Sequence, residues 1–362
     1  MARPTATATV AALPPSVAAA FAKQAAFCRQ LDAPFTAAMC DAALIAFAGG
    51  GASARAVHDW AGEPMADALM MRVTGAFNGL VRAGCAPELA PLYPPAPLPD
   101  VAALAAAIRG VLDDPARDVE VLQRLASPPQ TNEVARSGVL MPGMMVIAQA
   151  CALPLRIFEL GCSAGLNLNM DRFCYDLGGL AAGDPASPVR LAPVWRGNPP
   201  PASSVMISER RGVDIQPLDV QDAATRARLM AYVWPEQTQR VLRSEAAIAL
   251  AMANPPAIEQ GDAASFVEAA VAPRQGSVGV VFHSIAFQYF PAPAKARIEA
   301  HLEQAGRAAS PSAPLAWLRY EMDDPNAADL PTLRLRLWRG GAPEETLLAR
   351  AHPHGTFLEW LI

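Results

Sequence analysis

The residues of this chain best placed to do chemistry lie together at Glu159-Leu160-Gly161-Cys162-Ser163-Ala164-Gly165. An apolar run, Leu155–Leu160, leads into a turn of small residues, and Leu166-Asn167-Leu168 opens the next element. That order predicts a buried strand, a tight turn and a helix start. Glycines at such a turn let the backbone approach a ligand closely, and the helix start adds N–H donors. Glu159, two residues ahead of Gly161, would repel a pyrophosphate and suits a cationic ligand. The third glycine of a dinucleotide fingerprint falls on Leu166, which argues against a nicotinamide cofactor.

Further candidates follow along the chain. Asp214 closes Gly212-Val213-Asp214, and Asp262 follows Gln260-Gly261. Each comes after a strand-like segment, where a carboxylate can accept from a ligand's hydroxyl or amino groups. Asp219 is the rival of Asp214, ending the same stretch in another register. His283 closes the apolar run Val278–Phe282 and is the general-base candidate, since imidazole titrates near neutral pH. The plainer account is a core histidine hydrogen-bonded at a strand end. Asn132 and Arg136 stand one helical turn apart and can face one pocket, although a capped helix start with a solvated face explains them equally well. His354, in His352-Pro353-His354-Gly355, is a turn residue and a further pocket candidate.

Glu159 and the Gly161–Gly165 loop resemble the first motif of class I S-adenosylmethionine-dependent methyltransferases, with Ser163 where that family has its middle glycine. The resemblance implies a Rossmann-like core over residues 130–362 that binds S-adenosylmethionine or S-adenosylhomocysteine. Glu159, Gly161, Ser163, Gly165 and Asn167 would then surround the methionine part, Asp214 the ribose hydroxyls and Asp262 the adenine amino group. The reaction implied is methyl transfer to a small acceptor. A closer resemblance is to an uncharacterised bacterial family that carries this core behind a helical domain. It rests on Gln130-Thr131-Asn132-Glu133 with Arg136, Ser163–Asn167, Trp234-Pro235-Glu236-Gln237 and His354-Gly355.

Two other readings stand beside this one. Gly161–Gly165 also spells Gly-x-Ser-x-Gly, the nucleophile elbow of serine hydrolases. Asp262 or Asp323 and then His354 would complete a triad, with Gly49-Gly50-Gly51 as an oxyanion loop. Helices rather than strands precede the segment, and Glu159 would have no role. A core that binds the cofactor or a nucleoside without catalysis is the third reading.

The elements that must position these residues fall into an α/β arrangement. Residues 1–128 read as a helical domain: residues 16–47 show helical spacing, and Val101–Leu112 follow Asp100 as a cap. Residues 129–362 read as a mostly parallel sheet covered by helices. Its strands are Leu155–Leu160, Val205–Ser208, Val278–His283 and Leu315–Tyr320, with helices over Ala224–Ala253 and Lys295–Ala308. Thr332–Trp338 alternates with period two, and Gly340-Gly341 joins it to a strand from Phe357 in an antiparallel hairpin. About fifty residues separate the glycine loop from Asp214, where roughly twenty is usual, and the excess is a Pro-rich insertion at 183–204 expected to cover the site.

Composition narrows the partners. With 29 basic and 34 acidic residues the net charge is −5, which excludes nucleic acid as the main partner and favours a small-molecule substrate. Six cysteines form no Cys-x-x-Cys pair and have no histidine at ligand spacing, so no metal site is expected and a reducing, cytoplasmic setting is. Pro14-Pro15 interrupts the N-terminal apolar run, which makes a poor signal peptide. Val139–Leu155 is broken by Pro142, Gly143, Gln149 and Pro154, so no membrane span is expected. Oligomeric state is not written in the sequence.

Overall fold

The computed structural model describes residues 12–324 and 329–362, so residues 1–11 of the N-terminal segment discussed above lie outside the described residues. The helices run α1 (Pro15–Gln30), α2 (Pro34–Ala46), α3 (Ala52–His58), α4 (Leu69–Arg82), α5 (Val101–Asp113), α6 (Pro115–Leu125), α7 (Ser137–Cys151), α8 (Ala223–Ala231), α9 (Thr238–Ala253), α10 (Ala263–Ala270) and α11 (Ala292–Arg307). The chain divides into two compact units, one of residues up to Thr131 with Asp222–Leu242, the other of Asn132–Gln221 with Arg243–Ile362.

The first unit is helical. Pro15, Pro34 and Pro115 each stand in the first turn of a helix, where a missing N–H costs nothing. The helical spacing over 16–47 is divided at Asp32, which has φ +53, and Pro34 starts α2. Asp114 caps α6 by accepting from the Ala116 and Arg117 amides. Asp100 stands at the start of α5, but its side chain makes no capping bond. Phe21, Met39, Phe47, Leu69, Met70 and Phe77 fill the core.

Asp222–Leu242, expected with the α/β half, groups with these helices. The Asn78 amide on α4 donates to the Ala231 and Val233 carbonyls, both at 2.9 Å, and Thr36 donates to Glu236 through its amide and hydroxyl. Trp234 joins the same core.

The second unit is a nine-stranded sheet with a small sheet beside it. Its strands are β1 (Leu155–Leu160), β2 (Cys174–Leu177), β3 (Leu180–Gly183), β4 (Arg190–Leu191), β5 (Val194–Arg196), β6 (Ile207–Asp214), β7 (Ala257–Gln260), β8 (Val278–Ser284), β9 (Leu315–Glu321), β10 (Thr332–Trp338), β11 (Glu344–Ala351) and β12 (Phe357–Trp360). The main order is β5-β12-β11-β10-β9-β8-β1-β6-β7. From β7 to β9 the strands are parallel; β10, β11 and β12 then run as an antiparallel meander. β1 and β8 are buried along their whole length, with Arg156, Glu159 and His283 among the buried residues. β1 lies between β6 on one side and β8 on the other. The winding reverses there, and open α/β sheets bind ligands in the crevice at the carboxyl ends of such strands.

Three local expectations are corrected. Gly340-Gly341 joins β10 to β11, and the strand from Phe357 is β12, one strand further on. The element after the glycine loop is a short 3-10 segment, Leu166–Arg172, kinked at Asn169. The Pro-rich insertion forms β4 of the small sheet and carries β5 to pair with β12. Val134–Cys151, which contains α7, is long and apolar enough to cross a membrane, but 72% of it is buried within the protein. At its Gly143 a Cβ would meet Leu318 of β9 at 2.7 Å.

Candidate functional site

The carboxyl ends of β1, β6, β8 and β9 carry most of the candidate residues. Gly161, Ser163 and Gly165 all take left-handed backbone conformations, with φ +68, +54 and +65. A serine costs about 1–2 kcal/mol in that region relative to glycine. The middle position of the motif therefore demands what a glycine supplies, and Ser163 meets the demand under strain.

The loop amides are already engaged. Those of Gly161 and Cys162 donate to the Val213 carbonyl at 2.9 and 3.1 Å, and that of Gly165 to the Cys162 carbonyl at 2.8 Å. The Ser163 amide donates to Asp214 Oδ2 and the Leu166 amide to Asn132 Oδ1, both at 2.8 Å. Asp214 Oδ1 accepts from the Gln216 amide at 2.9 Å. An anion therefore finds few free donors here, and the loop is not a phosphate cradle.

Glu159 faces the opposite need. Its side chain is 2% exposed and its Oε2 has no hydrogen-bond partner among the described residues. Burial pushes its carboxyl well above the ordinary value; the Asn167 amide and Arg136 oppose the shift, and Asp214 adds to it. A buried acceptor without a donor costs about 1–3 kcal/mol, which a ligand's ammonium or hydroxyl would recover.

Asn167 connects this acid to a second polar group. Its Oδ1 accepts from Ser137 Oγ at 2.7 Å, and its Nδ2 donates to the Glu133 carbonyl at 3.4 Å. Glu133 is itself buried, and its Oε1 accepts from the Ala135 amide at 3.1 Å. His354 Nδ1 lies 3.6 Å from Glu133 Oε2, and Arg243 lies 3.7 Å from Oε1. The His354 side chain is 28% exposed, whereas that of Glu133 is 2% exposed. The pair is thus a half-open imidazole backed by a buried carboxylate.

Arg136 ties this corner to the sheet. Its Nε donates to the Pro353 carbonyl at 3.0 Å and its Nη1 to the Ser284 carbonyl at 2.9 Å. Gly355 completes the seat: it has φ +66, and a Cβ there would lie 2.4 Å from the Ala135 carbonyl oxygen. No side chain fits, so the turn bearing His354 rests directly on the turn bearing Arg136.

His283 does not fit the general-base role expected of it. It is fully buried, its Nδ1 meets Glu321 Oε1 at 2.7 Å, and Trp317 Nε1 donates to its Nε2 at 3.1 Å. A ring that accepts at Nε2 carries its proton on Nδ1, so neither nitrogen is left for a substrate. Glu321 Oε1 also accepts from the Ala286 and Phe287 amides. Burial alone would raise the Glu321 carboxyl, yet His283 and the two amides outweigh it and hold the group below its ordinary value.

The two remaining acids part company with the loop. Asp262 caps α10, its Oδ1 accepting from the Ser265 amide and hydroxyl, and it pairs with Arg297 at 3.5 Å. Asp219 accepts from the Gln221 amide in its own turn, so Asp214 and not Asp219 reaches the glycine loop. The hydrolase constellation is not assembled among the described residues: Ser163 Oγ has no hydrogen-bond partner there, Asp323 binds Arg334 and Thr332, and His354 lies by Glu133. A cavity of about 350 Å³ between Met141, Met145, Asp171, Leu180–Gly183 and Ala202–Val205 contains none of the glycine-loop residues, although the Pro-rich insertion helps to line it. Among the described residues no group of three His, Cys, Asp or Glu could hold a metal ion.

Sequence reasoning undervalued Glu133, Glu321 and Tyr320, whose hydroxyl donates to the His352 carbonyl. A usable signal was present only for Glu133, as the acid beside Asn132 and Arg136. Of the four stretches singled out for the bacterial family, Asn132, Glu133 and Arg136 of the first meet Asn167 of the second and His354-Gly355 in this one corner, whereas Gln130 and Thr131 group with the helical unit. Trp234–Gln237 belongs to the helical unit.

No curated protein and no solved structure matches this chain. A family model described as an uncharacterised protein conserved in bacteria (DUF2332) matches residues 18–360. With nearly the whole length matched, the chain belongs to that family.

Proposed function

We propose that this protein binds S-adenosylmethionine at the carboxyl ends of β1 and β6 and transfers its methyl group to a small acceptor, in a reducing, cytoplasmic setting. One observation carries the reading: Glu159, buried without a donor on Oε2, lies at the point where the sheet reverses its winding, below a loop whose amides are engaged. Such a crevice favours a cationic ligand over a phosphate, and the cofactor offers an ammonium and a sulfonium. Asp214, on the neighbouring strand end, is within reach of ribose hydroxyls through the remaining lone pairs of its carboxylate. The cofactor brings an already activated methyl group. The chain has to align the acceptor, exclude water and take a proton where the acceptor carries one. His354, half-open and backed by Glu133, suits the last task better than His283.

Titration calorimetry with S-adenosylhomocysteine tests the reading. Saturable binding to the wild-type chain that weakens about tenfold or more in Glu159→Gln is expected. No heat and no rise in melting temperature at saturating ligand would sink it. Ser163, strained and with an unpartnered hydroxyl, keeps the hydrolase reading testable. Covalent labelling of Ser163 by a fluorophosphonate would replace the methyltransferase with that second function.

A further inference from the structure

We propose that the helical unit carries a separate binding site for a small organic anion, in a cavity of about 260 Å³ lined by Gly75, Gln123, Arg124, Ser127, Arg228 and Tyr232. The cavity walls come from α4, α6 and α8, and no residue of the β1 crevice takes part.

The argument starts from charge. Two guanidiniums, Arg124 and Arg228, line the cavity with one carboxylate, Glu120. Arg124 is paired to Glu120 at 2.6 Å. Among the described residues Arg228 has no acidic partner: its Nη2 donates to the Pro128 carbonyl and to Gln130 Oε1, both at 3.2 Å, and its Nε is buried with no partner there. A third arginine reaches the same turn from α4. Arg72 Nη1 donates to the Leu125 and Ala126 carbonyls at 2.9 and 3.1 Å, and the Tyr232 hydroxyl donates to the Ser127 carbonyl at 3.1 Å. Four consecutive carbonyls, Leu125 to Pro128, are thus each taken by an arginine or by Tyr232.

Those carbonyls explain why the side chains are ordered, since the end of a helix leaves its last oxygens unsatisfied. They leave the charge uncancelled. A carbonyl dipole satisfies the geometry of a guanidinium, whereas a carboxylate or phosphate satisfies geometry and charge together. Burial raises the Tyr232 phenol while Arg228, Arg72 and Arg124 pull it down, so three cations act on one hydroxyl. In a chain of net charge −5 this local excess of positive charge runs against the average. Beside the polar Gln123 and Ser127, the remaining lining of Gly75, Ala76, Ala231 and the Tyr232 ring is apolar. A small anion with a flat apolar body matches both halves: its charged end meets Arg228, and its body lies along the tyrosine ring and the small residues of α4 and α8.

The test uses the full chain, with benzoate and phenyl phosphate as probes, inorganic phosphate as the anion without a body, and benzylamine as the body with the opposite charge. Saturable binding of benzoate or phenyl phosphate below about 10 mM is expected, with inorganic phosphate and benzylamine weaker by about tenfold. Arg228→Gln is expected to weaken the anion about tenfold. Tyr232→Phe, which keeps the ring, serves as a second variant if Arg228→Gln does not fold, and the chemical-shift changes in the wild-type chain must map to residues 75, 124, 228 and 232. Failure of both anions to saturate, equal binding of benzylamine, equal binding of inorganic phosphate, or shifts mapping elsewhere would overturn the proposal.

Discussion

At the scale of the residue, a buried carboxyl with one oxygen lacking a donor among the described residues is the most informative group in the molecule. Burial pushes the Glu159 carboxyl well above its ordinary value. In the unfolded chain the same group ionises near its ordinary value, about 4.3. The folded state therefore holds the extra proton, and the contribution of Glu159 to stability is fully present below that value and lost as pH rises through the raised one. Glu159→Gln keeps the shape and removes the titration. We expect the variant to melt higher than wild type at neutral pH, by roughly 1–3 kcal/mol of stability, with the gain vanishing below about pH 4. Thermal melts across pH check this, and a gain that persists at low pH refutes the account. A cation binding beside Glu159 favours its ionised form and lowers the raised value, so proton release on binding is expected and binding heats should depend on the ionisation enthalpy of the buffer. The two histidines separate by the same logic. His354→Asn is expected to leave cofactor affinity within about threefold and to lower methyl transfer by about 10²–10⁴ where the acceptor holds a proton. His283→Ala should act on stability, by about 1–3 kcal/mol, because it strands Glu321 and the Trp317 donor. Loss of transfer in His283→Ala with an unchanged melting temperature would reverse these roles.

At the scale of the element, the parallel core was legible because burial on both faces writes itself as a short, mostly apolar run. Leu155–Leu160 and Val278–His283 are such runs, and both lie in strands. β11 was not legible: Glu344-Glu345-Thr346 opens it with charge at the exposed end, and its alternation is masked until Leu348. The small sheet of β2, β3 and β4 escaped notice since its strands are two to four residues long. The candidate site was legible in the loop, where glycine positions report backbone demand, and illegible in its third dimension. Nothing local in Ser137 or Glu133 states that Asn167 will touch both. Gly355 is the exception in which a single residue type encodes a tertiary contact. A Cβ at that position needs both a left-handed backbone and space occupied by the Ala135 carbonyl. Gly355→Ala should cost at least about 1–3 kcal/mol and release the His354 turn. We expect faster amide hydrogen exchange over residues 352–357 and 133–137 in this variant, and unchanged exchange there would show that the seat is not needed.

At the scale of the whole molecule, one helical unit is assembled from two separated pieces of chain. Residues up to Thr131 provide α1 to α6, and Asp222–Leu242 returns from beyond β6 with α8 and Trp234. The returning piece fills space the first piece leaves open. A Cβ at Gly75 would meet the Tyr232 ring at 2.7 Å, so α4 carries its glycine where that ring lies. The Asn78 amide, 5% exposed, has the Ala231 and Val233 carbonyls as its close acceptors. Without 222–242 the fragment loses Trp234 from its core and leaves a buried amide without acceptors. Removal of one large aromatic side chain costs about 3–5 kcal/mol, a large share of the 5–15 kcal/mol that holds a domain together. We therefore expect residues 12–131 expressed alone to keep helical circular dichroism but to melt without a cooperative transition and to bind a hydrophobic dye, as a molten state does. The same residues joined through a short Gly/Ser linker to 222–242 should melt cooperatively, with Trp234 emission shifted to the blue. The linker tests the returning segment itself, because it supplies α8 and Trp234 while omitting the whole sheet. A cooperative melt of 12–131 alone would mean that the six N-terminal helices already close their own core, and that 222–242 merely rests on a finished surface.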